Sequence, residues 1–247
     1  MSGHSKWSTI KHKKGALDKK RGKIFTKLIK EITVAAKEGG PDVEMNPRLR
    51  LAVQNAKGKN MPKDTIDRAI KKVAGGEAAD YLETTYEGYA PNGVAVFIEC
   101  TTDNINRTVA DVRSIFTKGG GALGTNGSLE FIFDRKGMFS LPFPEGQDED
   151  DITLELIDGG AEDVEIEEGM MTITSAMEDF GHMQKKLDEL GLEVESAELE
   201  RIPNTYVGLS DEDFAKVMKT IDALEDNDDV QKVFHNIEAT DAQLESL

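Results

Sequence analysis

The hydrophobic period of this chain changes at Gly75-Gly76, and that change divides the architecture. Before it, apolar residues recur every three to four positions, as on helices. After it they alternate or run continuously between turn residues, as in strands. Ile24, Leu28, Ile32 and Ala35 make one stripe, and Lys19, Lys23, Lys27 and Lys30 lie opposite at 100° per residue. Gly39-Gly40-Pro41 stops this helix, and Asn46-Pro47 opens the next, which ends near Gly58. A third begins at Pro62, with Ile66, Ile70 and Val73 as its buried stripe. Three short helices predict a small bundle.

Beyond Gly76, Thr84–Tyr89 and Val94–Thr102 around Pro91-Asn92-Gly93 predict a hairpin. Asp103 or Asn104 caps a helix carrying Ile105, Val109, Val112 and Phe116, Gly119-Gly120-Gly121 ends it, and Ser128–Asp134 reads as a strand. Residues 137–201 then repeat a strand-helix-strand unit twice, the split β-α-β order. Tyr206–Leu209, Asp211–Leu224 and Val230–Glu238 give a strand, a helix and a strand that would complete a second such unit with residues 94–134. The expected fold is therefore α+β and multidomain: an N-terminal three-helix domain followed by two ferredoxin-like α+β domains, one inserted in the other. The expected boundaries are 1–76, 77–136 plus 202–247, and an inserted 137–201. A linear string of three domains is the alternative.

Charge divides at the same place. Residues 1–76 hold 15 Lys and 4 Arg against 7 Asp/Glu, a formal +12, so the rest of a chain at −17 carries −29. Lys6, Lys11, Lys13, Lys14, Lys19, Lys20, Arg21, Lys23, Lys27 and Lys30 put ten cations into thirty residues against Asp18. Phosphates of DNA or RNA are the expected target, because bound cations release condensed counterions. Trp7 suits stacking on an exposed base or anchoring the arm, His12 suits hydrogen bonding to phosphate or base, and Arg48 and Arg50 are expected to extend the basic surface. Lys outnumbers Arg, which suits point contact with phosphate over reading of bases. A solvated tail, or an arm folded back on the acidic body, would carry the same charges. Between Phe143 and Glu200 stand 20 acids and 2 bases, a surface that repels phosphate or takes a basic protein.

Catalytic and cofactor motifs are missing from the sequence. Gly119-x-Gly121-x-x-Gly124 follows a helix and precedes a strand, the reverse of a dinucleotide fingerprint, and reads as a helix stop with tight turns. His4, His12, His182 and His235 are scattered, and no Cys/His spacing suits zinc, so neither a metal nor a cofactor is expected. A hydrolase built on paired carboxylates is the remaining catalytic class. Without a nucleophile or metal motif, the chain is not expected to be an enzyme. The single Cys100 suits a reducing compartment, and no apolar run reaches the length of a membrane span. With no signal peptide expected, the reading is cytoplasmic.

Several ordered motifs resemble one family. Gly3-His4-Ser5-Lys6-Trp7, Ile10-Lys11-His12-Lys13-Lys14, Arg21-Gly22-Lys23 and Asn46-Pro47-Arg48-Leu49-Arg50 come first. Tyr86-Glu87-Gly88-Tyr89-Ala90-Pro91, Asn106-Arg107-Thr108, Leu224-Glu225-Asp226 and Asp228-Asp229-Val230-Gln231 follow. Together they are similar to the YebC/PmpR family over nearly the whole chain. Ile105 departs from it, where a basic residue is more usual, as does Gly121, where Asn is more usual. The resemblance implies three domains around a cleft and a probable DNA-binding transcriptional regulator. Other members resemble ribosome-associated translation factors that contact rRNA or tRNA.

Overall fold

The computed structural model describes residues 19–144 and 146–246, with Lys19 and Lys20 described as backbone alone. Helices α1 (Lys19–Gly39), α2 (Pro47–Gly58) and α3 (Lys63–Ala74) form the N-terminal bundle. Asn46 joins the first two. Its Oδ1 accepts from the Leu49 N–H at 3.0 Å, capping α2, and its Nδ2 donates to the Ala35 and Gly40 carbonyls at 2.8 Å each. Ile32, Ala35, Leu49, Ala52, Ala56 and Ile66 make the core. Phe25, Leu28 and Ile29 of α1 pack partly against it. Ile24, expected in the buried stripe, is 40% exposed.

The first α+β domain has strands in the order β3-β1-β2-β9. These are β1 (Leu82–Ala90), β2 (Val94–Thr102), β3 (Ala122–Leu123) and β9 (Val230–His235). All pairs are antiparallel. The β1–β2 turn uses left-handed Asn92 and Gly93, at φ 62° and 77°. Helices α4 (Ile105–Lys118) and α7 (Asp211–Glu225) cover one face. There Val94, Val96 and Ile98 meet Val112, Phe116, Phe214, Val217 and Ile221. Each such fully buried side chain contributes about 1.5–3 kcal/mol.

The second domain is inserted between β3 and α7. Its strands are β4 (Phe133–Pro142), β5 (Ala161–Glu167), β6 (Met170–Ala176) and β7 (Ser196–Pro203), ordered β5-β6-β4-β7 and antiparallel throughout. Helices α5 (Glu149–Asp158) and α6 (Phe180–Glu189) pack over Phe139, Leu141, Met171 and Ile173. Both sheets share one spatial pattern, with β1 in the first sheet standing where β6 stands in the second.

Two strand assignments from the sequence are corrected. Ser128–Asp134 is a run of turns until Phe133, where one ten-residue strand begins. The cause is Glu87, buried on β1, whose carboxylate accepts the Gly127 and Leu129 N–H groups at 2.7 and 2.6 Å. With those donors satisfied by a side chain, the segment folds over the back of the first sheet. Leu129, Ile132 and Phe133 pack there on Ala95, Phe97 and Phe234. The second correction concerns Tyr206–Leu209. Only β8 (Val207–Gly208) forms, and it pairs in parallel with β10 (Ile237–Glu238), outside both sheets. The ladder of β9 stops because the Asn236 Oδ1 takes the Ala95 N–H at 2.8 Å. The chain closes with α8 (Asp241–Glu245).

Candidate nucleic-acid interface

The helical domain sits on the body through polar contacts and through Leu51 of α2, which packs on the core of the inserted domain. Asn55 of α2 pairs like a backbone amide with the free edge of β7, its Nδ2 donating to the Ala197 carbonyl at 3.0 Å and its Oδ1 accepting the Ala197 N–H at 3.1 Å. Gln54 donates to the Val194 carbonyl at 3.1 Å. At Gly58 any Cβ would collide with the Glu195 carbonyl, so only glycine lets α2 approach so closely.

On α1 the lysine face turns toward protein. Lys23 Nζ lies 3.0 Å from both the Asp226 carbonyl and the Asp226 Oδ1. Lys27 donates to the Glu225 carbonyl at 2.8 Å. Lys30 departs furthest from the expected solvent-facing position, because its side chain is buried and engaged by protein groups. Its ammonium donates to the Thr101 carbonyl (3.0 Å), the Asp228 carbonyl (2.7 Å) and Asp229 Oδ1 (3.0 Å), and lies 5.4 Å from the Tyr81 ring centroid. Spacing on a helical wheel shows that these lysines share a face; it does not show what that face meets.

Asp229 is the hub of this junction. It accepts from Lys30, from Arg107 Nε and Nη2 (3.0 and 2.7 Å to Oδ2) and from the Thr108 hydroxyl at 2.9 Å. Burial alone would push its carboxyl up, but the hydrogen bonds from Arg107, Lys30 and Thr108 outweigh this and hold it below the usual range. The motifs Asn106-Arg107-Thr108 and Asp228-Asp229, far apart in sequence, thus form one cluster. A cleft of about 450 Å³ opens beside it.

A second, half-buried ionic group lies where α1, β7 and β9 meet. Lys232 of β9 pairs with Glu198 and, at 3.6 Å, with Glu200 of β7. Glu31 of α1 stands beside them. Burial raises its carboxyl first, Glu198 adds to the rise, and Lys232 and Arg48 offset part of it.

The remaining sequence candidates separate by exposure. Lys6, Trp7, Lys11, His12, Lys13 and Lys14 lie outside the described residues, as do the side chains of Lys19 and Lys20. Arg21 is exposed, its guanidinium 5.4 Å from the Phe25 ring centroid. Arg48 bridges Glu38 of α1 and Glu83 of β1, tying the bundle to the first α+β domain, and Arg50 bonds the Val43 and Glu44 carbonyls within the bundle. Lys57, Lys63, Arg68, Lys71 and Lys72 are exposed and make no ion pair among the described residues. Four of these occupy α3 opposite Ile66 and Ala69, interleaved with Asp64 and Asp67. Arg68 gives no signal of its own in the sequence, because it stands alone there and joins Lys71 and Lys72 only through helical geometry.

A cationic helical bundle mounted on two ferredoxin-like domains, one inserted in the other, defines a three-domain α+β protein with an outward basic surface. Among the described residues, no helix is long and apolar enough to cross a membrane. Family models match the helical part and the α+β part separately. The TACO1/YebC protein N-terminal domain matches residues 5–76, and the TACO1/YebC second and third domain matches residues 81–237. The chain belongs to the TACO1/YebC family. It is 59% identical over 239 residues to a probable transcriptional regulatory protein of Amoebophilus asiaticus, covering 96% of this chain and 98% of that one. It is 53% identical to one from Geotalea uraniireducens over the full length of both. A crystal structure of a conserved hypothetical protein from Aquifex aeolicus matches with a TM-score of 0.80 at 44% identity, covering 91% of this chain and 93% of that one. The relatives' names support a regulatory role in general terms.

Proposed function

We propose that this protein is a DNA-binding regulator of transcription that acts by binding and not by catalysis. One observation carries the reading: the helical domain concentrates positive charge and leaves Lys57, Lys63, Arg68, Lys71 and Lys72 facing outward, while the body is strongly acidic. Cations in that arrangement gain from counterion release, and the acidic body turns nucleic acid toward the helical side. The basic residues before α1 add to the same charge. The α+β body then selects partner or site.

A second reading is a ribosome-associated translation factor contacting rRNA or tRNA. It is favoured by the 15 Lys against 4 Arg of the helical part, since ammonium groups hold phosphates without reading bases.

Reversing Lys63, Arg68, Lys71 and Lys72 to Glu tests the surface. Affinity for a DNA duplex should collapse, and the log–log salt slope should flatten by roughly 0.9 for each phosphate no longer neutralised. Unchanged affinity would remove α3 from the interface. Sedimentation of extract on a sucrose gradient separates the readings: co-migration with ribosomes favours translation, and promoter footprints favour transcription.

A further inference from the structure

We propose that Glu225 and Asp226 stand in for phosphate on α1, covering a second polyanion-binding face that nucleic acid reaches by displacing them. This rests on the nucleic-acid reading above and adds a regulated surface to it.

Lys23 and Lys27 lie one turn apart on α1, with their Cβ atoms about 5–6 Å apart. Their ammonium groups bond the last carbonyls of α7, where unpaired C=O groups carry partial negative charge. The last turn of α7 has no basic residue of its own, so α1 supplies the cations. Acids at 225, 226, 228 and 229 surround these carbonyls. To the two lysines, the end of α7 presents what a nucleic-acid backbone would: closely spaced oxygens with negative charge.

The contact is graded in strength. Lys30 and Asp229 are buried, with side chains 8% and 6% exposed, and stay locked. Lys23 and Asp226 are 42% and 65% exposed, and such pairs are weak and screened by salt. Asp228 is held with Lys30 and Asp229, its carbonyl accepting from Lys30 at 2.7 Å, whereas Asn227 borders the open cleft on the outer side. A polyanion can therefore replace the outer contacts while Lys30 holds α1 on the body. The first consequence is latency: part of the cationic surface is filled until nucleic acid is bound.

The test uses the full chain and a fluorescent duplex of about 20 base pairs at low salt, longer than the surface of one helix. Glu225→Gln with Asp226→Asn should bind roughly three- to tenfold tighter, as expected when weak exposed contacts are removed. The salt slope should steepen by up to about 1.8, for two more phosphates. Adding Lys23→Ala and Lys27→Ala to that variant should return slope and affinity to wild type. Asp150→Asn with Asp151→Asn, the same charge change on α5, should leave binding unchanged. In wild type, duplex should speed amide exchange at residues 226 and 227. Equal affinity of wild type and the 225/226 variant, or an equal gain from the α5 variant, overturns this inference alone. No binding by any form overturns the nucleic-acid reading and this inference together.

Discussion

Asp229→Ala should be the most damaging single change at the junction between the helical domain and the body. The substitution removes the acceptor for Lys30, Arg107 and Thr108 at once. Thr108 keeps Thr102 Oγ1 and the Asn104 carbonyl, and Arg107, half exposed, keeps Asp103. The cost falls on Lys30, left as a buried ammonium with two carbonyls and no counter-charge. Removing one partner of a buried pair costs about 3–5 kcal/mol. The two surviving carbonyl bonds place this case at the lower end, about 3 kcal/mol. Urea unfolding followed by far-UV circular dichroism measures it. Lys30→Met combined with Asp229→Ala removes both charges, so its cost should fall below the sum of the singles by about 2 kcal/mol. A loss under about 0.5 kcal/mol for Asp229→Ala, or strict additivity of the pair, would refute the hub. Because the Asp229 carboxyl is held below its unfolded value, its contribution is fully present above about pH 4 and is lost as pH falls through the lower folded value.

Other consequences are smaller. Glu31 is held above its ordinary value, so its ionised form costs stability at neutral pH. Glu31→Gln should therefore stabilise at pH 8, with the gain vanishing as pH falls to about 4.3, and a gain that grows toward acid would contradict this. Asn55→Ala strands the N–H and C=O of Ala197, which is fully buried, and should cost about 2–3 kcal/mol and loosen the α2–β7 contact, visible as faster amide exchange along β7. Burial, then Asp229, pushes the Cys100 thiol up to about 12, so it should resist iodoacetamide at pH 8 in the native protein and react only on unfolding. Rapid native labelling would show that β2 opens.

Features settled within a few residues are legible in the sequence and match the structure. Asn46-Pro47 opens α2, Asn104 caps α4, and the Pro91-Asn92-Gly93 turn joins β1 to β2, because caps and turns depend on their immediate neighbours. The split strand-helix-strand order is visible for the inserted domain, whose elements follow one another. It is obscured in the first domain, where β1 precedes the unit it completes and 128–132 is held by Glu87 from another strand.

The amino-acid order alone determined the separation of charge, the helix-then-sheet division at Gly75-Gly76 and the absence of a nucleophile or zinc motif, since these are properties of composition and period. Only the tertiary structure decided which cations face outward. Lys30 and Lys71 are indistinguishable as lysines on amphipathic helices. One lies buried against Asp229 and the other stands in solvent, because the partner that claims Lys30 arrives from a loop about two hundred residues away.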